Sequence, residues 1–262
     1  MKELKNVFLP NKVLSKNTFF LMVTVQSIAV LLFWFLSKAT YFPSIPEIFN
    51  ALGRLIREED LVFELLTSTG LCLQSMLIAI VISLIISYLS VIPFFKPFAF
   101  IVSKFRFLTL VGLSFLFVLM THSGHGLKVS LMVFGITVFF VTSLVAEIQG
   151  ITKNEFNHAR TLRMSEWEVV KEVIILGRLD KVMEIIRQTF AISWMMLTMV
   201  EGISRAEGGV GTLLLNQNKH FNLDAVFAIQ LVILAVGILM DYMIGFLKNL
   251  FFPFATLTTE TK

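Results

Sequence analysis

From Gly70 to Ile92 the chain runs for 23 residues without one Asp, Glu, Lys or Arg. About 20 apolar residues are what a helix needs to cross the ~30 Å hydrocarbon core of a bilayer. Five further apolar segments share this character, so the sequence predicts six spans: roughly 18–37, 70–92, 105–122, 127–146, 185–203 and 224–247. Each is expected to be helical, because lipid offers no partner to a free backbone group. The third is the weakest, trimmed by Arg106 at its start and ended by His122-Ser-Gly-His-Gly126. Only 15% of residues are charged against 56% hydrophobic, and a soluble domain carries closer to a quarter charged.

The loops give an independent reading of orientation. With the N-terminus inside, 16 of the 22 Lys and Arg fall on the inner side, counting Arg106 and Arg187 at the inner ends of their spans. This positive-inside bias predicts two cytoplasmic termini, and an odd number of spans would destroy it. The net charge of +4 is spread along span flanks instead of forming one patch, which argues for topology and against nucleic acid. The chain divides into a cytoplasmic segment 1–17, a membrane domain 18–252 with a large inner loop at 147–184, and a cytoplasmic tail 253–262. A cleaved signal peptide is the competing reading of the first span, with Lys2, Lys5, Lys12 and Lys16 ahead of it and Ser37-Lys38-Ala39 behind. Its apolar run exceeds the usual 7–15 residues. On the outer side, 41–56 is expected to be broken by Pro43 and Pro46, with an amphipathic remainder along the interface.

The inner loop is built, not slack. Thr152 precedes Glu155 by three residues and Ser165 precedes Glu168 by three, two capping-box patterns that predict helices over about 153–163 and 166–176. Phe156, Ala159 and Leu162 share one side of the first; Trp167, Val170, Val173 and Ile174 are the apolar set of the second. Such helices suit either the lipid surface or a protein partner. Acidic residues balance basic ones here, a poor match to anionic lipid and a better one to a protein.

No sequence motif for chemistry stands out. There is no GxxxxGK followed by Ser or Thr, no HExxH and no nucleophile elbow, so the chain is read as non-enzymatic, with no catalytic residue. His122 and His125 lack a Cys, Asp or Glu companion nearby, so no metal site is expected. Glu201, near the outer end of the fifth span, is the candidate for lining a translocation path, with snorkelling to the outer water as its equal alternative. Gly209 and Gly211 join it at the outer mouth, where glycine permits a sharp turn or close helix approach. Asp241 in the sixth span is expected to pair with Lys248 or an inner-loop Arg.

The order ARTLRMSEW…VKEVIILGRL at 159–179, together with EGISRAEGGVGTL at 201–213, Gly237 and Asp241, resembles the permease subunits of binding-protein-dependent ABC importers. The branch most alike handles sulfonates, nitrate, taurine, bicarbonate and thiamine precursors. In that family the inner loop carries a motif whose helix docks into a groove on the ATPase subunit. The resemblance places Asn157, His158, Ala159, Arg160, Thr161, Arg163 and Ser165 in this coupling helix. It implies an all-α integral membrane protein with six transmembrane helices, an ABC importer permease-like bundle with cytoplasmic coupling helices. Implied partners are ABC ATPase subunits, a second permease copy or a paralogous permease, an external solute-binding protein and membrane lipid. The chain itself would hold no cofactor, with ATP and Mg on the partner ATPase subunits. The solute implied is a small organic or inorganic anion. Arg163 stands where the family has Gly, and Leu176 and Asp180 where it has prolines, so the second loop helix is expected to run on toward the fifth span. The competing class is a self-contained channel or secondary carrier, in which inverted repeats and mid-membrane acidic residues are common; neither is visible.

Overall fold

The computed structural model describes residues 15–36 and 43–253. The lysines at 2, 5 and 12, the Ser37-Lys38-Ala39 site and the tail from 254 onward lie outside the described residues. Among the described residues eleven α-helices follow in order: α1 Lys16–Leu36, α2 Ile45–Glu58, α3 Leu61–Leu89, α4 Lys96–Lys104, α5 Leu110–Met120 and α6 Gly124–Gln149, then α7 Lys153–Thr161, α8 Glu166–Val169, α9 Leu179–Ile203, α10 Val210–Lys219 and α11 Leu223–Phe251. Among the described residues α3, α6 and α11 are long and apolar enough to cross a membrane, and α4–α5 make a fourth crossing if the bent pair is one span.

The expected third span is therefore not one straight helix. A short 3-10 turn at Phe105–Phe107 ends α4, and α5 sets off at 112° to it. The bend falls where Leu108 and Thr109 become extended and the Thr109 hydroxyl accepts from the Gly112 amide, capping a new helix. At 1.5 Å per residue the 11 residues of α5 rise only ~16 Å. In the fifth segment α9 is helical throughout but falls short of the apolar criterion, because Arg187, Gln188 and Glu201 interrupt it.

The core is the packing of α3, α6 and α9. Hydrocarbon surroundings remove the usual hydrophobic drive between helices, so close backbone approach and polar contacts matter more. On α3 the buried face carries Ser68, Cys72, Ser75, Ala79, Ser83 and Ser87 at helical spacing. This stripe of small side chains lets α6 lie against it, with Leu131, Ile136 and Phe140 filling the seam. Trp194 of α9 stacks on Phe190 and donates its indole N–H to the Ile233 carbonyl, tying α9 to α11.

Ahead of α3, Pro46 starts a helix instead of breaking one. It stands in the first turn of α2, where a missing N–H costs nothing, behind a Ser44–Glu47 capping box. Ile48, Ala51 and Leu55 are buried, and Arg54 meets Asp224 of α11 at 3.3 Å, so α2 packs on the protein while Phe49 stays exposed.

Candidate functional site

The inner loop forms a braced pair of short helices. Both capping boxes are present: Glu155 accepts from the Thr152 amide at 3.2 Å and Glu168 from the Ser165 amide at 2.7 Å. These amides hold both carboxyls below the usual carboxylate range, and Arg178 deepens the effect at Glu155. The Arg178 guanidinium donates to Glu155 at 2.6 Å and lies 3.7 Å from Glu147, pinning the start of α7 to the end of α6. Across the link between the helices, Arg160 grips Glu166 with Nε at 2.9 Å and Nη2 at 3.0 Å, which lowers the Glu166 carboxyl in turn.

Between α7 and α8 the backbone turns at Arg163, whose φ is +60°. That is the left-handed region, where a Cβ is costly and glycine is the usual occupant after a helix end. Beyond α8 the helical path continues as a π-helix over Val170–Ile175, then a 3-10 turn over Leu176–Arg178, and enters α9 without a loop. The second loop helix thus runs into the fifth segment, as the lack of prolines at 176 and 180 predicts. The π segment left no trace in the sequence reading.

Of the coupling-helix candidates, Asn157, His158, Arg160, Thr161, Arg163 and Ser165 are exposed on this loop. Ala159 is not: it is 5% exposed, its small side chain packed beneath α7. Leu162, which shares the apolar side with Ala159 in the sequence pattern, is 60% exposed; Trp167 is 72% exposed. The loop therefore presents an apolar pair, Leu162 and Trp167, amid mixed charge, with Val169 and Ile174 holding it to the bundle from beneath.

At the other end of the bundle, the GGVG turn closes a polar knot. Glu201 is 1% exposed. Its carboxylate accepts from the Ser68 hydroxyl at 2.5 Å and the Gly211 amide at 2.7 Å, and Ser68 in turn accepts from the Val210 amide at 2.8 Å. Glu64 takes the Gly209 amide, and the buried Lys128 ammonium donates to the Gly208 carbonyl at 2.7 Å. The free amides at the start of α10 are thus answered by carboxylates and a hydroxyl, as a helix N-terminus favours.

This geometry corrects the reading of Glu201 as reaching outer water, and it gives the two glycines a packing role. Gly209 has φ +108°, and a Cβ there would strike the Glu201 carboxylate; at Gly211 one would sit 2.6 Å from the Thr198 backbone. Ser68, Glu64 and Lys128 were missed from sequence; the signal available was their position on α3 and α6 at the same outer level as Glu201. Of the two partners expected for Asp241 the arginine is the one found: Arg187, at the start of the fifth segment, with Nε and Nη2 each at 2.6 Å, while Lys248 pairs with Glu184 at 2.6 Å. His125 bonds Gln74 across α3 and α6 at 3.2 Å, and no group of three or more metal-ligating side chains gathers among the described residues.

A cavity of about 520 Å³ opens between α9 and α11, lined by Phe190, Trp194, Thr198, Gln230, Gly237 and Asp241 among others. Its walls are mostly apolar with a few polar groups, and it lies between the helices that carry the polar knot and the Arg187–Asp241 pair.

No family model matches the chain, and no curated protein matches it by sequence. Three solved chains match by structure. One, from the crystal structure of an amino acid ABC transporter with histidines, superposes with a TM-score of 0.60 at 19% identity, over 75% of this chain and 95% of that chain. The two share a fold.

Proposed function

We propose that this chain is the membrane permease subunit of an ATP-driven ABC importer, one of two permease chains that together form the translocation pore. The observation that carries this reading is the braced loop of α7 and α8. It is an exposed, internally bonded helix pair at the inner end of an all-helical membrane bundle, joined to α9 through a π-helix and a 3-10 turn. The fold shared with a chain of an amino acid ABC transporter supports it. So does the sequence resemblance, which puts an ATPase contact on this loop.

The geometry suggests how force would pass. An ATPase gripping Leu162 and Trp167 pushes on a loop that cannot bend independently, because Arg160–Glu166 closes it and Arg178 ties it to α6. The continuous helical path from Glu166 to Ile203 then carries the displacement up α9 to the Glu201 knot at the outer face. The two ends are thus joined along one helical path, whose π and 3-10 segments over 170–178 are the place where it can flex. This chain hydrolyses nothing in this account; ATP and Mg belong to the partner ATPase, and a binding protein delivers solute from outside. The solute is a small organic or inorganic anion on the sequence resemblance, so a screen starts from small sulfonates and carboxylates, with amino acids beside them.

Co-expression with the candidate ATPase subunit tests the reading. Trp167→Glu and Leu162→Glu place a buried charge in the proposed contact while altering exposed positions of the free chain. Co-purification of the ATPase is expected to fall at least ten-fold, with membrane insertion unchanged. Solute uptake that proceeds without any ATPase would return the chain to the channel or carrier class.

A further inference from the structure

The segment 93–107, PFFKPFAFIVSKFRF, contains no acidic residue. It forms the turn after α3, then α4 and the 3-10 turn that ends it. Lys96, Lys104 and Arg106 are all exposed, and none is in an ion pair with another of the described residues. Lys104 lies 4.6 Å over the Phe100 ring and Arg106 5.0 Å over Phe107, so two cations rest on exposed aromatic faces. Phe94 is 81% exposed. The segment stands at the same end of the bundle as the α7–α8 loop: one cavity is lined by Pro93 and Lys96 together with Phe156, Arg160 and Glu166. Beside it, a second cavity of about 440 Å³ runs between α4 and the end of α6, with Lys96 and Ser90 at its wall and Ser103, Thr142 and Gln149 supplying further polar groups.

We infer that α4 and this cavity form a binding site for an anionic diacyl phospholipid of the inner leaflet. Exposed phenylalanines suit the acyl boundary, and cations at the same level suit a phosphate-bearing headgroup just above it. The 112° bend turns α4 away from the axis of α5. The contrast with the α7–α8 loop supports the assignment: there charges are mixed and paired, here they have one sign and lack acidic partners. Nucleic acid is excluded as the occupant by the phenylalanines interleaved with the charges at the membrane boundary. A free phosphate ion would leave the apolar wall without a partner. The inference rests on the inner-face orientation of this end, but its test does not.

The test uses the purified full-length chain in non-ionic detergent, without an ATPase, so failure of ATPase docking cannot mimic failure of lipid binding. Native mass spectrometry reads retained lipid as phosphatidylglycerol or phosphatidylcholine is titrated in. The expected result is selective retention of phosphatidylglycerol. Each basic residue near a charged bilayer surface contributes about 1 kcal/mol, or roughly five-fold. The triple variant Lys96→Gln, Lys104→Gln, Arg106→Gln is therefore expected to lose about a hundred-fold in affinity. Arg57→Gln with Lys219→Gln, at the opposite end, is the control and is expected to bind as the unaltered chain does. If the triple variant fails to fold, the salt dependence of binding to the unaltered chain decides, since 0.5 M salt should abolish the preference. Equal retention of both lipids, an unaffected triple variant, or full displacement by inorganic phosphate would each overturn the proposal.

Discussion

Arg160 of α7 and Glu166 of α8 meet as two planar groups, Nε to Oε1 at 2.9 Å and Nη2 to Oε2 at 3.0 Å, across the turn that contains Arg163. A two-point pair of this kind fixes direction as well as distance. Because both side chains are exposed, its value lies in the shape of the loop and not in global stability. Glu166→Gln keeps the size and removes the charge. It is expected to leave the thermal unfolding midpoint unchanged while lowering ATPase co-purification several-fold; a normal yield of complex would mean that the pair plays no part in docking.

Arg163 occupies a left-handed backbone position with φ +60°. Relief of that strain by Arg163→Gly is worth about 1 kcal/mol, offset in part by the entropy of an added glycine in the unfolded chain. Amide exchange across residues 153–163 is expected to slow by a factor of about two to five. Faster exchange would show that the Arg163 side chain itself holds the turn.

At the 208–211 knot, a structural role and a transport role for Glu201 lead to different variant behaviour. Glu201→Ala leaves the Gly211 amide and Ser68 hydroxyl buried without their acceptor, a loss of about 1–3 kcal/mol each. Glu201→Gln keeps an oxygen for the amide and should cost far less. Gly209→Ala is expected to be the worst of the three, combining φ +108° with a clash against Glu201. A thermal shift series in detergent reads the order. Equal midpoints for the Ala and Gln variants, with transport lost in both, would restore Glu201 to the pathway.

The capping carboxylates give the loop a pH dependence of known sign. Glu155 and Glu168 are held below the ordinary carboxylate value of 4.5 in the folded loop. Their contribution is therefore complete above about pH 4.5 and is lost as pH falls through their lowered values. Exchange protection of α7 and α8 is expected to be flat from pH 8 to 5, after correction for intrinsic rates, and to fall in more acid solution. A step well above that range would contradict the assignment to the two capping carboxylates.

Much of this was legible in the sequence for identifiable reasons. Capping boxes announce themselves locally, so Thr152–Glu155 and Ser165–Glu168 marked the loop helices by their first residues, though not the π segment that follows. Uninterrupted apolar runs did the same for α3, α6 and α11. The bend before α5 was not legible, because Leu108 and Thr109 differ little from their neighbours in hydropathy and only the Thr109–Gly112 cap marks the break. Ala159 and Leu162 share an amphipathic face in projection, yet α7 ends at Thr161, so Leu162 leaves the helix and turns outward. The Glu201 knot draws on Glu64, Ser68 and Lys128, up to 137 residues away in sequence. Local patterning has no means of bringing such residues together.

The central claim is that the α7–α8 loop is an inner-face surface covered by an ATPase. The sole native thiol, Cys72, is buried, so a single cysteine at an exposed loop position can be read cleanly. The measurement is maleimide labelling of His158→Cys with a membrane-impermeant reagent, in right-side-out and inverted vesicles that contain the ATPase. The account predicts no label from outside, weak label in inverted vesicles, and strong label there once the ATPase is stripped away. Labelling from the outside, or labelling of inverted vesicles that the ATPase does not reduce, would contradict it.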